Sequence, residues 1–135
     1  MSAEWPVAKT GTKGVAVRAL QRLLLHRGAD VEVDGSFGPG TAKAVKAFQS
    51  ANGLEADGAV GTKTWSKLVV PVRRGQSGEP VLAVQELLGS AADGEFGPET
   101  EKATRRFQKR VHLAVDGVVG PHTWQLLVVE SRGRG

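Results

Sequence analysis

One stretch of this chain returns later in it, and that repeat limits the possible folds more than any other feature. DGSFGPGT at residues 34–41 returns as DGEFGPET at residues 93–100, a displacement of 59 from Asp34 to Asp93. At the same displacement Phe48-Gln49 falls on Phe107-Gln108, Leu54 on Leu113, Asp57-Gly58 on Asp116-Gly117, Thr64-Trp65 on Thr123-Trp124 and Leu68 on Leu127, with no insertion. Upstream the displacement is 64, from Gly14 to Gly78, and Val17, Leu20, Gln21 and Leu24 fall on Val81, Val84, Gln85 and Leu88. The difference is lost in one place, where HRGADVEV after Leu25 shrinks to GSAA after Leu88. Loops absorb deletions that packed elements do not, so this gap marks the end of a helix. The 135 residues therefore form two units of about 60 residues, a size near the lower limit for a self-sufficient core.

A shorter pattern lies inside each copy. DGxxGxxT begins at Asp34, Asp57, Asp93 and Asp116. Asp-Gly is a turn signal, because Gly accepts positive φ and the Asp carboxylate bonds nearby amides. The second Gly, followed by Pro39, Pro98 or Pro121 in three of the four, reads as a helix N-cap with proline at the first helical position. Each motif is thus predicted to be a turn feeding a helix. Ala44 with Phe48, and Ala103 with Phe107, are four apart and share a helical face. Val17, Leu20 and Leu24, like Val81, Val84 and Leu88, follow the stripe of an amphipathic helix. Trp65 with Leu68, and Trp124 with Leu127, give a short third helix its apolar side. The expected fold is all-α, two tandem three-helix units, with the tryptophans in the cores. The expected divisions are a first unit at 8–70, a linker and start of the second unit at 71–79, the second unit at 80–129, and a basic tail at 130–135. PVRRGQSGEP reads as the link because it combines proline, glycine and charge without apolar periodicity.

Composition removes several function classes. The chain has no cysteine, which excludes disulfide scaffolds, cysteine nucleophiles and thiolate metal sites. Its formal charge of +4 favours anionic partners. Arg73, Arg74, Arg132 and Arg134 place part of that excess at the link and the tail, so it reads as solvated background and no nucleic acid partner is expected. No run of about 18 apolar residues exists, so no membrane span is expected. MSAEWPVAKTGTKG lacks the charged and apolar regions of an export signal, which leaves a truncated form or another route of exit.

Together the ordered set GxxGxxVxxLQxxL, DGxFGPxT, AVxxFQ and DGxxGxxTW resembles the peptidoglycan-binding domain family often attached to bacterial wall hydrolases. The resemblance covers both units, from about Gly11 to Leu127. It implies a compact three-helix module that holds the wall polymer non-covalently, with peptidoglycan or its fragments as ligand and the cell wall or cell exterior as location. A monomer is expected, with a wall hydrolase or a secretion component as the protein partner the resemblance allows. A protein-protein adaptor of a lysis, phage-tail-like or secretion apparatus is the alternative use of the same fold, and a cryptic wall hydrolase the least favoured. The short loop of the second unit, His112 where the first unit has Gly53, and Thr104 where it has Val45, imply two sites of different affinity.

A glycan-peptide ligand needs convergent donors and acceptors. The candidate groove is Asp34, Thr41, Gln49, Asp57, Thr64 and Trp65 in the first unit, and Asp93, Thr100, Gln108, Asp116, Thr123 and Trp124 in the second. Turn and helix-start chemistry is the competing role for the aspartates and threonines. For Gln21, Gln85, Gln49 and Gln108 it is a bond to neighbouring loop backbone, and for the tryptophans it is the core. No cofactor, metal or catalytic residue is expected. Asp30, Glu32 and Asp34 stand at calcium-loop positions, but Thr41 occupies the place of the required bidentate Glu. His26, His112 and His122 occupy no equivalent positions in the two units and form no HxH or HExxH pair.

Overall fold

A computed structural model describes residues 4–132. Six helices follow in order: α1 (Val15–His26), α2 (Pro39–Ala51), α3 (Thr62–Leu68), α4 (Glu79–Leu88), α5 (Pro98–Arg110) and α6 (Pro121–Glu130). Among the described residues there is no named strand, only isolated bridges. The chain is all-α and divides into two three-helix units, α1–α3 and α4–α6.

Each helix starts where its motif places it. Gly38, Gly61, Gly97 and Gly120 are the N-caps of α2, α3, α5 and α6, and proline sits in the first turn of α2, α5 and α6. The glycine after each motif aspartate has a left-handed backbone, with φ of 75° at Gly35, 79° at Gly58, 79° at Gly94 and 74° at Gly117. A side chain there would be strained, and at Gly117 an added Cβ would also lie 3.1 Å from Glu101 Cγ. Four apolar residues two places further on, Phe37, Val60, Phe96 and Val119, are all buried, so every motif turns one hydrophobic side chain into its core.

An extended arm precedes the first helix of each unit and pairs with the motif turns. Ala8 bridges Val60 and Lys13 bridges Ser36; at equivalent positions Val72 bridges Val119 and Ser77 bridges Glu95. The arms also satisfy the tryptophans. Trp65 Nε1 donates to the Pro6 carbonyl at 3.0 Å, and Trp124 Nε1 to the Val70 carbonyl at 2.6 Å. Trp5 stacks on Trp65 with centroids 5.3 Å apart. The arms therefore reach past the divisions drawn from sequence at three residues: Trp5 and Pro6 pack with the first unit, and Val70 bonds the second. Of residues 130–135, Glu130 closes α6 and the Ser131 hydroxyl donates to the Val128 carbonyl. Residues 133–135, with Arg134, lie outside the described residues.

The two units are joined as one body by α1 against α4, the most extensive helix pairing. Ala19 and Ala83, at equivalent positions and fully buried, lie three residues before Arg22 and Glu86. Small side chains let the helices approach closely. Glu86 receives Arg22 at 2.7 Å and Arg18 at 2.8 Å, and Arg22 also reaches Glu79 at 2.9 Å. Burial opposes the charge on Glu86, but the two guanidiniums outweigh it and hold the carboxyl below its usual range. Arg22 and Glu86 are themselves equivalent positions. A symmetric pairing of identical units would set like charges together there, whereas the tandem sets opposite ones.

Candidate functional site

Four glutamines organise the motif turns. Gln49 Nε2 lies 3.0 Å from Asp57 Oδ1, 2.9 Å from the Ala59 carbonyl and 3.0 Å from Thr64 Oγ1, while its Oε1 accepts from the Gly58 amide. Gln108 makes the same set with Asp116, Val118, Thr123 and Gly117, and Gln85 with Asp93, Glu95, Thr100 and Gly94. Gln21 repeats it with Asp34, Ser36, Thr41 and Gly35. In three clasps glutamine precedes aspartate by 8 residues, and in the Gln21 clasp by 13. The longer loop of the first unit lies between the members of that clasp and leaves its bonds unchanged.

These bonds assign each candidate residue a place. Each glutamine spreads its two N–H groups over three acceptors and is at most 1% exposed, so its amide is spent inside the protein. Thr41, Thr64, Thr100 and Thr123 are buried with their hydroxyls beside those amides. Trp65 and Trp124 are 0% exposed and present no face to a ligand. The four aspartates remain exposed. In each, Oδ1 accepts from the amide two residues on, at Ser36, Ala59, Glu95 or Val118. That backbone bond, followed by the glutamine bond, holds each carboxyl below its usual range. The other carboxylate oxygen stays outside the clasp.

Clefts lie on the outer side of three clasps. The first unit has one of about 360 Å³ at Asp57, bordered by Leu54, Glu55, Thr62 and Lys63. The second has its counterpart at Asp116, about 240 Å³, bordered by Leu113, Ala114, Pro121 and His122. A third, about 290 Å³, lies at Asp34 beside Val31, Glu32, Pro39 and Gly40. Leu54 and Leu113 repeat in the sequence, whereas Glu55 against Ala114, Thr62 against Pro121 and Lys63 against His122 differ between the units, so the repeat gave no sign of them as a cleft border. The Asp57 cleft carries Glu55 and Lys63, whereas the Asp116 cleft has Ala114 and His122 in their places.

The two departures noted in the sequence have separate explanations. The Thr104 hydroxyl donates to the Thr100 carbonyl at 2.8 Å within α5, so it is satisfied inside the helix. His112 adopts φ 63°, where Gly53 has 71°. The left-handed residue that ends α2 is thus kept at the end of α5 by a side chain that strains it. Among the described residues no three His, Asp or Glu side chains group as a metal set, and no helix is long and apolar enough to cross a membrane.

The class defined by this geometry is a tandem of small three-helix, clasp-bearing modules. Residues 13–68 and 77–127 both match the family described as "Putative peptidoglycan binding domain", and the chain belongs to that family. It is 29% identical to N-acetylmuramoyl-L-alanine amidase CwlL of Bacillus licheniformis, over 87% of this chain and 44% of that protein. It is 48% identical to the zinc D-Ala-D-Ala carboxypeptidase of Streptomyces albus G, over 43% of this chain and 24% of that protein. The chain thus spans less than half the length of either enzyme. Among solved structures, the SleB N-terminal domain matches half of this chain, 50%, and 94% of itself, at 39% identity and a TM-score of 0.47. A peptidoglycan-binding protein from Clostridioides difficile matches 47% of this chain and 43% of itself, at 35% identity and a TM-score of 0.46.

Proposed function

We propose that this chain binds bacterial cell-wall peptidoglycan without acting on it chemically, through the clefts at Asp57 and Asp116, and so keeps an associated activity at the wall. The observation that carries this reading is the recurrence of one cleft at equivalent positions in both units of a family of binding modules. Each cleft sets an exposed carboxylate beside an apolar residue, Leu54 or Leu113, a pairing suited to the hydroxyls, amides and methyl groups of a glycan-peptide polymer. Anchored clasps keep these walls in place before ligand arrives, which lowers the entropy lost on binding. The α1–α4 pairing holds the two units together, so a polymer long enough to span both clefts gains avidity that a fragment does not.

Co-sedimentation with purified, insoluble peptidoglycan tests the proposal. The full chain is expected to pellet at low and moderate salt, and Asp57→Ala together with Asp116→Ala to reduce pelleting while the fold is retained. Failure to pellet, with capture of one stoichiometric protein partner instead, would favour an adaptor role. Clearing of a wall suspension by the chain alone would refute the non-catalytic part.

A further inference from the structure

We infer that α5 carries a second site, present in one unit only, for a free carboxylate on the peptide portion of the wall; this rests on the peptidoglycan reading above. Lys102, Arg105, Arg106, Lys109 and Arg110 follow the spacing of a single helical face and are all exposed. The first unit has Lys43, Lys46, Ala47, Ser50 and Ala51 at these positions. Arg110 pairs with Glu130 at 2.8 Å and Arg105 donates to the Val115 carbonyl. Among the described residues no carboxylate lies within salt-bridge distance of Lys102, Arg106 or Lys109. Five of the 18 basic residues therefore share one helical face, in addition to those at the link and tail where the sequence placed part of the excess.

Charge alone suits any polyanion; the adjoining cleft narrows the choice. Arg106 and Arg110 border a cavity of about 280 Å³ whose other walls are Leu87, Leu88, Ala103, Phe107 and Glu130; the Glu130 carboxylate is paired to Arg110, which leaves Arg106 as the cation of the lining that a ligand carboxylate meets. A phosphodiester chain has no use for such apolar walls, whereas a short peptide with methyl side chains and a terminal carboxylate matches both parts. In the first unit the corresponding Phe48 meets the Arg27 guanidinium, 5.7 Å from its ring, which also donates to the Lys67 and Leu68 carbonyls. The shortened loop after Leu88 has no counterpart of Arg27. Arg110 takes that place over Phe107, 5.2 Å from its ring, and both phenylalanines are buried; what the second unit adds beside the ring is Arg106, where the first has Ala47.

The test is NMR titration of the full chain with N-acetyl-D-alanyl-D-alanine, its C-terminal amide and linear polyphosphate, in wild type, Arg106→Gln and the control Lys43→Gln. The acid is expected to shift amides around Ala103, Arg106 and Arg110. Arg106→Gln, or amidation of the peptide, is expected to weaken binding at least about tenfold, and Lys43→Gln to leave it unchanged. An equal response to acid and amide, an unaltered Arg106→Gln titration, or a response to polyphosphate without one to the peptide would each overturn the inference. Wild-type protein that pellets with peptidoglycan yet ignores the peptide overturns this site alone; protein that does not pellet overturns the underlying reading.

Discussion

Replacing Gln108 with leucine removes a clasp while keeping nearly the same volume. Gln108 is 1% exposed and has five bonds, to Asp116 Oδ1, the Val118 carbonyl, Thr123 Oγ1 and the amides of Asp116 and Gly117. The Thr123 hydroxyl and the Gly117 amide are the partners in buried positions, and each group orphaned out of reach of water costs about 1–3 kcal/mol. The other partners lie nearer solvent and rehydrate. Added apolar burial returns about 1 kcal/mol, which leaves a loss centred on about 3 kcal/mol for Gln108→Leu. That is a large share of the stability of a small domain. Urea unfolding followed by tryptophan fluorescence reads it as a lowered midpoint at unchanged slope, with Gln49→Leu expected to behave alike in the first unit. A loss below about 0.5 kcal/mol, the usual size for an unremarkable surface change, would refute the claim that the glutamines hold the motif turns.

Trp65→Ala is expected to cost about 3–5 kcal/mol, since it empties a fully buried position and removes the support of Trp5; an unchanged thermal transition would contradict this. His112→Gly relieves a left-handed non-glycine residue and is expected to stabilise the chain by about 0.5–1 kcal/mol, seen as a Tm a few degrees higher. Acid should destabilise the fold. Asp34, Asp57, Asp93, Asp116 and Glu86 all have folded-state pKa values depressed from their ordinary ones. Their contribution is therefore complete above the ordinary carboxylate range near about 4 and is lost as pH falls through the lower folded values. Tm measured from neutral pH downward should hold steady and then drop below that range, and a Tm that rises there would contradict the assignment.

Helix starts were legible in the sequence because Gly-Pro and Asp-Gly act locally: four copies of one pattern named four N-termini, and Trp65 and Trp124 declared the cores by their spacing from Leu68 and Leu127. The arms were not legible. Trp5 acts through one ring stack, Pro6 and Val70 through one indole bond each and Val72 through a single bridge, which leave no periodicity, so proline and charge around residues 71–79 looked like a link. The α1–α4 join was hidden for another reason. Ala19 and Ala83 are too small to mark a second buried face, and Arg22 opposite Glu86 reads as surface charge until the helices are brought together. The clasp was half visible: glutamine and the motif were both seen to repeat, but only the bonds from Gln21, Gln49, Gln85 and Gln108 show that the residues identifying the family are chiefly those that build its turns.

The most direct test of the central claim is an amide shift map of the full chain with soluble, defined peptidoglycan fragments that contain both glycan and peptide. Binding at the paired clefts predicts shifts grouped at Leu54, Asp57, Thr62 and Lys63 and again at Leu113, Asp116 and His122, with the buried Trp65 and Trp124 indoles little moved. Shifts absent from both groups, while the same fragments bind elsewhere on the chain or not at all, would contradict it.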